Sequence, residues 1–159
     1  MIMRVRIKHV ITYVICIAIP VAAGMISAFF TSNNMMIFAE LNKPPLAPPA
    51  WLFPVAWTVL YILMGIASAR VVLSGHEKTT QLIEVYFAQL VLNFLWSIIF
   101  FNLSMYYFAA IWLFVMWLLI VIFTVKCRKV DMVAFCCFIP YVLWCTFALY
   151  LNIGVAILN

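Results

Sequence analysis

Charged side chains are the scarcest class in this sequence. Only 8% of the 159 residues are Asp, Glu, Lys or Arg, and 70% are hydrophobic. A soluble domain carries about a quarter charged residues, so this chain has too few of them to build a surface that faces water. Soluble enzymes and soluble regulatory domains are therefore excluded, and we predict an integral membrane protein.

Charge is also missing from the middle of the long apolar segments. Glu40, Arg70, Glu84 and Asp131 all lie at or near segment ends. Ionisable residues inside the membrane mark ion pathways, proton relays and voltage sensors. Their absence weighs against a proton-coupled transporter, a voltage sensor and a charge-lined channel.

The cysteines and histidines lack the spacing of a metal or disulfide site. The five cysteines form no recognisable ligand or pairing pattern, so we expect reduced thiols that behave as small apolar residues. His9 and His76 lie far apart in the sequence, each at a segment end. We predict no metal site.

Five segments are long and apolar enough to cross a bilayer as helices, which takes about 20 residues each. They are residues 10–30, 51–73, 82–101, 106–125 and 132–157. None alternates as the strands of a membrane barrel do, and the first is too long for a cleaved signal peptide. We predict an all-α membrane protein, a bundle of five transmembrane helices in one domain over residues 1–159. Because the links after spans three and four are short, these spans should pack as antiparallel neighbours.

The bases lie almost entirely on one side of this five-span topology. That side carries Arg4, Arg6, Lys8, Arg70, Lys78, Lys126, Arg128 and Lys129, and the other side carries only Lys43. The positive-inside rule then predicts a cytoplasmic N-terminus and an external C-terminus. The net charge of +5 is thus explained by topology and by anionic lipid headgroups, and we expect no nucleic-acid partner.

The first link, residues 31–50, is the long connection of the molecule and leads into the stretch "LNKPPLAPPAWLFPVAWTVLY". Five prolines fall between Pro44 and Pro54, among apolar residues that are unusual for a disordered segment. We expect this link to fold back over the outer ends of the helices. Pro48 and Pro49 should begin span two, where helices accept proline, and Pro54 should lie in its first turn or kink it.

Uncharged polar residues share helical faces with aromatic residues in three spans. Span two offers Trp57, Tyr61, Gly65 and Ser68; span three offers Tyr86, Gln89, Asn93, Trp96, Ser97 and Phe100; span five offers Tyr141, Trp144, Ala148 and Asn152. This spacing places each set on one face of its helix. At about 1.5 Å per residue, Trp57, Asn93 and Trp144 lie in the outer half of the membrane or near its midplane. The three faces could converge on one cavity beneath the first link.

Structural roles for the same residues remain open. Asn and Gln in membrane spans often only join helices by hydrogen bonds, and Trp and Tyr often anchor helix ends at the interface. Pro140 interrupts the hydrogen bonding of span five beside Tyr141. Small residues at Gly24 and Ala28, and at Gly65 and Ala69, allow helices to approach closely, within the chain or between protomers.

Three segments resemble the translocator protein family, the tryptophan-rich sensory proteins (TspO/MBR). They are "KPPLAPPAWLFPVAWTVLYILMGIA", "QLVLNFLWSIIFF" and "PYVLWCTFALYLNIGVAILN", in the family's order and spacing. The resemblance covers the first link and spans two to five. It implies a five-helix bundle, often a homodimer, with a ligand pocket capped by the first link.

The resemblance also implies ligands. Family members bind tetrapyrroles such as protoporphyrin IX and haem, and synthetic isoquinoline carboxamides, and the animal members bind cholesterol. By motif position the pocket would include Trp57, Asn93, Trp96, Ser97, Trp144 and Ala148, with the prolines of the first link as its cap. Together with the polar and aromatic faces, the predicted ligand-binding residues are Phe38, Pro48, Pro49, Trp57, Tyr61, Gln89, Asn93, Trp96, Ser97, Tyr141, Trp144, Ala148 and Asn152.

The sequence departs from the family in two places. The family usually carries Trp-Tyr or Trp-Phe before its Lys-Pro, whereas this chain has Ile37-Phe38, so one aromatic of the cap is missing. No basic residue follows Lys129, so the proposed cholesterol motif is absent, which weighs against cholesterol as a ligand. The composition suits a bacterial plasma membrane better than the mitochondrial outer membrane that other members occupy.

The sequence therefore predicts a membrane receptor or sensor with a porphyrin or haem ligand and no required cofactor. Asn93 and Ser97 would hydrogen-bond a propionate or another polar group of the ring. An alternative is light-dependent porphyrin degradation, in which Trp57 and Trp144 would take part in redox chemistry. A transporter of porphyrin or lipophilic small molecules is a third hypothesis, disfavoured by the lack of intramembrane charge and of repeats.

Overall fold

The computed structural model describes residues 2–34 and 40–159 of the chain. Within these ranges the chain forms five long helices and no strand: α1 (Ile2–Thr31), α2 (Leu52–Leu73), α3 (Thr79–Ser97), α4 (Tyr106–Cys127) and α5 (Met132–Leu158). Each is long and apolar enough to cross a membrane. The predicted all-α fold with five membrane-spanning helices is confirmed, and the protein is a multi-pass membrane protein.

The helix ends differ most from the predicted ones at two places. Helix α1 begins at Ile2, well before residue 10, because helical hydrogen bonding continues beyond the part that lipid requires to be apolar. Helix α3 ends at Ser97 and continues as one π-helical turn, Ile98–Asn102, in which the Leu103 N–H donates to the Ile98 carbonyl at 3.1 Å. Such turns are often found at functional sites, and no residue pattern predicted this one.

The five helices pack as a closed ring in the order α1, α2, α5, α4, α3, and α3 completes the ring against α1. The predicted packing of spans three, four and five as successive neighbours is confirmed. The space between the helices is filled by apolar side chains, including Met64, Met116, Phe123 and Phe138, which are all fully buried.

Two glycines allow α1 and α2 to approach closely. A Cβ on Gly65 would lie 2.4 Å from the Ile17 Cα, and a Cβ on Gly24 would lie 2.2 Å from the ring of Tyr61. Neither position has room for a side chain. The small residues of these two spans therefore make a contact within the chain.

An ion pair joins α2 to the start of α5 at the end of the bundle opposite the first link. The Arg70 guanidinium donates to Asp131 Oδ2 from Nη2 at 2.6 Å and from Nε at 3.0 Å. Asp131 Oδ1 accepts the Ala134 N–H at 2.8 Å and so caps α5. Partial burial raises the pKa of Asp131, but the hydrogen bonds from Arg70 and Ala134 and the Arg70 charge outweigh it and hold that pKa below its ordinary value.

The described part of the first link, residues 40–50, folds back over the end of α5, as expected. Asn42 and Asn159 exchange hydrogen bonds at 3.0 and 2.9 Å, and the Tyr150 hydroxyl donates to the Pro45 carbonyl at 2.8 Å. The Pro44 ring occupies the space that a Cβ on Gly154 would need. These contacts hold the link against the last turns of α5.

The positions of the prolines relative to the start of α2 differ from the prediction. The helix begins at Leu52, so Pro48 and Pro49 precede it rather than begin it. The Leu52 N–H donates to the Pro49 carbonyl at 3.0 Å, which makes a turn just before the helix. Pro54 lies in the first turn of α2, where a backbone N–H has no helical partner to lose.

Candidate ligand-binding site

A cavity of about 320 Å³ lies beneath the first link. Its described lining comes from residues 43–50 of the link, 24–31 of α1, 53–61 of α2, 96–101 of α3 and its π-helical turn, and 148–155 of α5. All of these segments lie in the half of the bundle nearest the link. Parts of the predicted polar and aromatic faces of spans two, three and five meet at this cavity.

Aromatic rings form much of the cavity wall. Trp57 stacks on Tyr61 with ring centroids 5.5 Å apart and planes 29° apart. Trp96 and Phe100 lie 5.3 Å apart on the α3 side. The π-helical turn carries Phe100 and Phe101, both on the lining. A wall of flat rings with few polar atoms suits a flat, mostly apolar ligand.

A chain of hydrogen bonds runs behind this wall and joins three helices. The Tyr61 hydroxyl donates to Asn93 Oδ1 at 2.7 Å, Asn93 Nδ2 donates to the Tyr141 hydroxyl at 2.9 Å, and that hydroxyl donates to Gln89 Oε1 at 2.9 Å. All four residues are buried, and Tyr61 alone reaches the described cavity lining. The chain therefore holds the Tyr61 ring in place from behind.

A second set of bonds fixes Trp96. Its indole N–H donates to Asn152 Oδ1 at 3.0 Å, and Asn152 Nδ2 donates to the Tyr106 carbonyl at 2.9 Å. Both polar ends of the Asn152 amide are thus used in joining α3, α4 and α5. Asn152 shapes the cavity by orienting the Trp96 ring.

Seven of the predicted ligand-binding residues lie on the cavity wall. They are Pro48, Trp57, Tyr61, Trp96, Ser97, Ala148 and Asn152.

Gln89, Asn93 and Tyr141 are not on the described wall, because their polar groups face one another between α3 and α5. The predicted hydrogen bond from Asn93 to a ligand stays a prediction, and Asn93 itself is buried behind the wall. Its carbonyl oxygen and its amide nitrogen are both occupied, by Tyr61 and by Tyr141.

The remaining predicted residues lie near the cavity or outside the description. Trp144 packs edge-on against Phe53, 6.0 Å between centroids, and Phe53 rather than Trp144 lines the cavity. The Trp144 indole nitrogen is buried and has no hydrogen-bond partner in the described ranges. Pro49 is exposed beside the wall. Phe38, with Ile37, lies outside the described residues, so its predicted place in the cap stays a prediction.

The sequence-based prediction missed the contribution of α1. Gly24, Ser27, Ala28 and Thr31 all line the cavity. Their spacing of three, four and seven residues is that of one helical face, so a small and polar stripe was present in the sequence. Phe53 had no comparable signal, because its orientation depends on where α2 begins.

The lining has little that could hold a metal ion. Among residues 2–34 and 40–159 no group of three His, Cys, Asp or Glu residues is close enough to bind one. The described lining instead combines aromatic rings with the hydroxyl groups of Ser27, Thr31 and Ser97. This arrangement can bind a ligand by stacking and a few hydrogen bonds.

Comparison with known proteins identifies the family. The TspO/MBR family model matches residues 16–158, which is most of the chain. The chain belongs to the TspO/MBR family. The resemblance read from the three sequence segments is therefore confirmed.

Several relatives match this TspO/MBR protein over most of their length. The tryptophan-rich protein TspO of Chlorobaculum tepidum is 34% identical over 155 residues, which cover 96% of this chain and 98% of the relative. The tryptophan-rich sensory protein of Cereibacter sphaeroides is 38% identical over 122 residues, covering 77% and 76%. The translocator protein of Bos taurus is 30% identical over 138 residues, covering 84% and 82%. The chain is thus a membrane protein whose relatives include proteins named tryptophan-rich sensory protein and translocator protein, from bacteria and from an animal.

Proposed function

We propose that this protein is a membrane receptor or sensor that binds tetrapyrroles, such as protoporphyrin IX and haem, and similar flat apolar ligands in the cavity beneath the first link. The observation that carries the proposal is the pair of aromatic walls, Trp57 with Tyr61 on α2 and Trp96 with Phe100 on α3. Offset ring stacking contributes about 0.5–1.5 kcal/mol per pair beyond the burial of apolar surface. Membership of the TspO/MBR family supports the same ligand class.

The cavity volume bears on how each ligand would lie. About 320 Å³ is near the lower end of the roughly 300–1,000 Å³ of small-molecule sites. An isoquinoline carboxamide would fit inside. A tetrapyrrole is larger, so it would insert one edge between the rings and leave the opposite edge at the mouth, below the link. Ser97, which lines the cavity, would hydrogen-bond a polar group of the inserted part.

An absorbance titration with protoporphyrin IX in neutral detergent tests the proposal. Trp57→Ala and Trp96→Ala should each weaken binding about tenfold or more, since each removes a stacking surface and buried area worth roughly 1–3 kcal/mol. Trp117→Ala is the matched control, because Trp117 bonds Thr146 at 2.9 Å on the α4–α5 contact and is not on the described lining. Unchanged affinity in both cavity variants would refute the site.

Light-dependent porphyrin degradation is a second candidate. The Trp57 ring forms part of the cavity wall and stacks on Tyr61, so it would contact a bound ring that light has excited. Illumination in air should then cause porphyrin absorbance to fall in the wild-type protein and not in Trp57→Phe. Trp144→Phe tests whether Trp144, the other tryptophan predicted to take part in the redox chemistry, has a direct role although it lies behind Phe53. Stable absorbance under light and oxygen would rule this activity out.

We also propose that the protein forms a homodimer, as many relatives of this family do by the resemblance. Helix α1 is the least buried of the five spans. In its most apolar stretch of 18 residues 11% of the residues are buried, against 28–39% in the other four spans. Its outer face is therefore available to lipid or to a second copy. The mass of the protein in lipid nanodiscs distinguishes a dimer from a monomer.

The orientation in a bacterial plasma membrane is a further proposal. The four bases Arg70, Lys126, Arg128 and Lys129 lie at or beside the ends of α2 and α4, at the end of the bundle opposite the first link. The positive-inside rule places this end in the cytoplasm. Reporter fusions should therefore show a cytoplasmic N-terminus and an external C-terminus, and the reverse pattern would overturn the assignment.

A further inference from the structure

One position breaks the uncharged character of the cavity. Among the described lining residues, Lys43 is the only one with a charged side chain, while its companions are apolar, aromatic or hydroxyl-bearing or, in Asn152, carry an amide. Lys43 belongs to the first link, so its charge lies at the mouth rather than in the depth of the cavity. The lysine is half-buried.

The chain on both sides of Lys43 is anchored to α5. On one side, the backbone N–H and carbonyl of Asn42 bond the Asn159 side chain at 3.0 and 2.9 Å. On the other side, the buried Pro44 ring packs against Gly154, with no room for even a Cβ there. Lys43 therefore sits at a fixed point of the mouth, unlike a lysine at the tip of a flexible loop.

An ammonium carried on an anchored backbone beside an apolar cavity favours an anionic group on the ligand. Charges attract more strongly where water is partly excluded, because the effective dielectric constant falls. The hydroxyl groups of Ser27, Thr31 and Ser97 can hydrogen-bond a ligand but cannot balance a negative charge. A carboxylate brought to the mouth would otherwise lose hydration without compensation.

We infer that Lys43 is the counter-charge for a carboxylate of the ligand, so that the site selects flat aromatic ligands with an acidic group at one edge. The aromatic walls would bind the ring, and Lys43 would bind the acid at the mouth. This inference rests on the proposed function and narrows its ligand class. It also replaces Asn93, which lies behind the described cavity wall, as the partner of a propionate.

The test compares protoporphyrin IX with its dimethyl ester, which keeps the ring and replaces both carboxylates by uncharged methyl esters. Both are titrated by absorbance in neutral detergent against the wild type, Lys43→Gln, Lys43→Arg and Lys78→Gln. Lys78 is exposed in the link between α2 and α3, so Lys78→Gln removes the same charge away from the cavity. Lys43→Gln should weaken binding of the diacid about tenfold, as expected for the loss of a charge-assisted bond, and leave the ester unchanged.

The other arms distinguish the ways in which the inference could be wrong. Lys43→Arg should keep the preference for the diacid, and Lys78→Gln should change neither affinity. Equal weakening of both ligands by Lys43→Gln would make Lys43 a structural residue of the link and overturn the inference. Unchanged diacid binding would also overturn it while leaving the porphyrin site intact. Failure of the wild type to bind either ligand would instead overturn the proposed function, and this inference with it.

Discussion

Replacing Asn93 by leucine tests whether the hydrogen-bond chain behind the cavity wall positions Tyr61. Leucine has a similar size but removes two bonds at once, the one from Tyr61 at 2.7 Å and the one to Tyr141 at 2.9 Å. The Tyr61 hydroxyl, which is buried between α2 and α3, would lose its acceptor. Tyr61→Phe removes only the first of these bonds and keeps the ring in the wall.

The size of the effect follows from hydrogen bonds measured between membrane helices, which average about 0.6 kcal/mol and reach about 1.7 kcal/mol. The Tyr61–Asn93 bond is short and its residues are 8% and 2% exposed, so we expect a value in the upper part of that range. Asn93→Leu should therefore lower the free energy of unfolding by about 1–3 kcal/mol. Tyr61→Phe should cost about half as much.

A double-mutant cycle distinguishes two roles of Asn93, positioning of Tyr61 and direct contact with the ligand. If Asn93 acts through Tyr61, Asn93→Leu should weaken porphyrin binding by at most about twentyfold, the equivalent of 1.7 kcal/mol. The same substitution should have no further effect on affinity in the Tyr61→Phe protein. Unfolding in mixed micelles measures the change in stability, and absorbance titration measures the change in porphyrin affinity. Both are carried out on the same four proteins.

One result would refute this reasoning. If Asn93→Leu lowers affinity equally in the wild-type and Tyr61→Phe proteins, Asn93 contacts the ligand directly. The role first predicted from sequence would then be correct. Additive effects on unfolding would likewise mean that the two side chains are not coupled.

Three further predictions concern the contacts that hold the bundle and the first link. Gly65→Ala should lower the free energy of unfolding by about 1–3 kcal/mol, because the new Cβ would lie 2.4 Å from the Ile17 Cα. Asp131→Asn should remove an acid-sensitive part of stability. Because the pKa of Asp131 is lowered in the folded state, its contribution is complete above the unfolded value of about 3.9 and is lost as the pH falls through the folded value, so the unfolding midpoints of variant and wild type should converge in acid. Tyr150→Phe should cost about 1 kcal/mol and speed amide exchange in the first link, since it frees the Pro45 carbonyl.

Matched variants show whether these effects arise from the named contacts. Val59→Ala, on an exposed face of α2 (51% exposed), should be tolerated better than Gly65→Ala, and Tyr107→Phe (68% exposed) should leave amide exchange in the link unchanged. An Asp131→Asn protein that keeps the acid sensitivity of the wild type would contradict the assignment of that sensitivity to the ion pair.

Much of the fold and part of the site could be predicted because lipid imposes simple rules on local sequence. A span must be apolar over about 20 residues and must satisfy its own backbone, so the five helices follow from composition and length. Helical periodicity then placed Trp57 with Tyr61, and Trp96 with Ser97, on single faces, and all four lie on the cavity wall. These are properties of one helix at a time.

Which of the polar side chains on one helix face reach the cavity was decided only by tertiary packing. Asn93 and Ser97 are one turn apart on α3, yet Ser97 lines the cavity while Asn93 faces Tyr61 and Tyr141. The π-helical turn and the fit of Pro44 against Gly154 likewise arise from contacts between segments distant in sequence. Sequence by itself therefore determined which residues are helical and which faces are polar or aromatic. Packing decided which of those faces meet a ligand and which meet another helix, because a polar group in lipid takes whichever partner the neighbouring helices bring within reach.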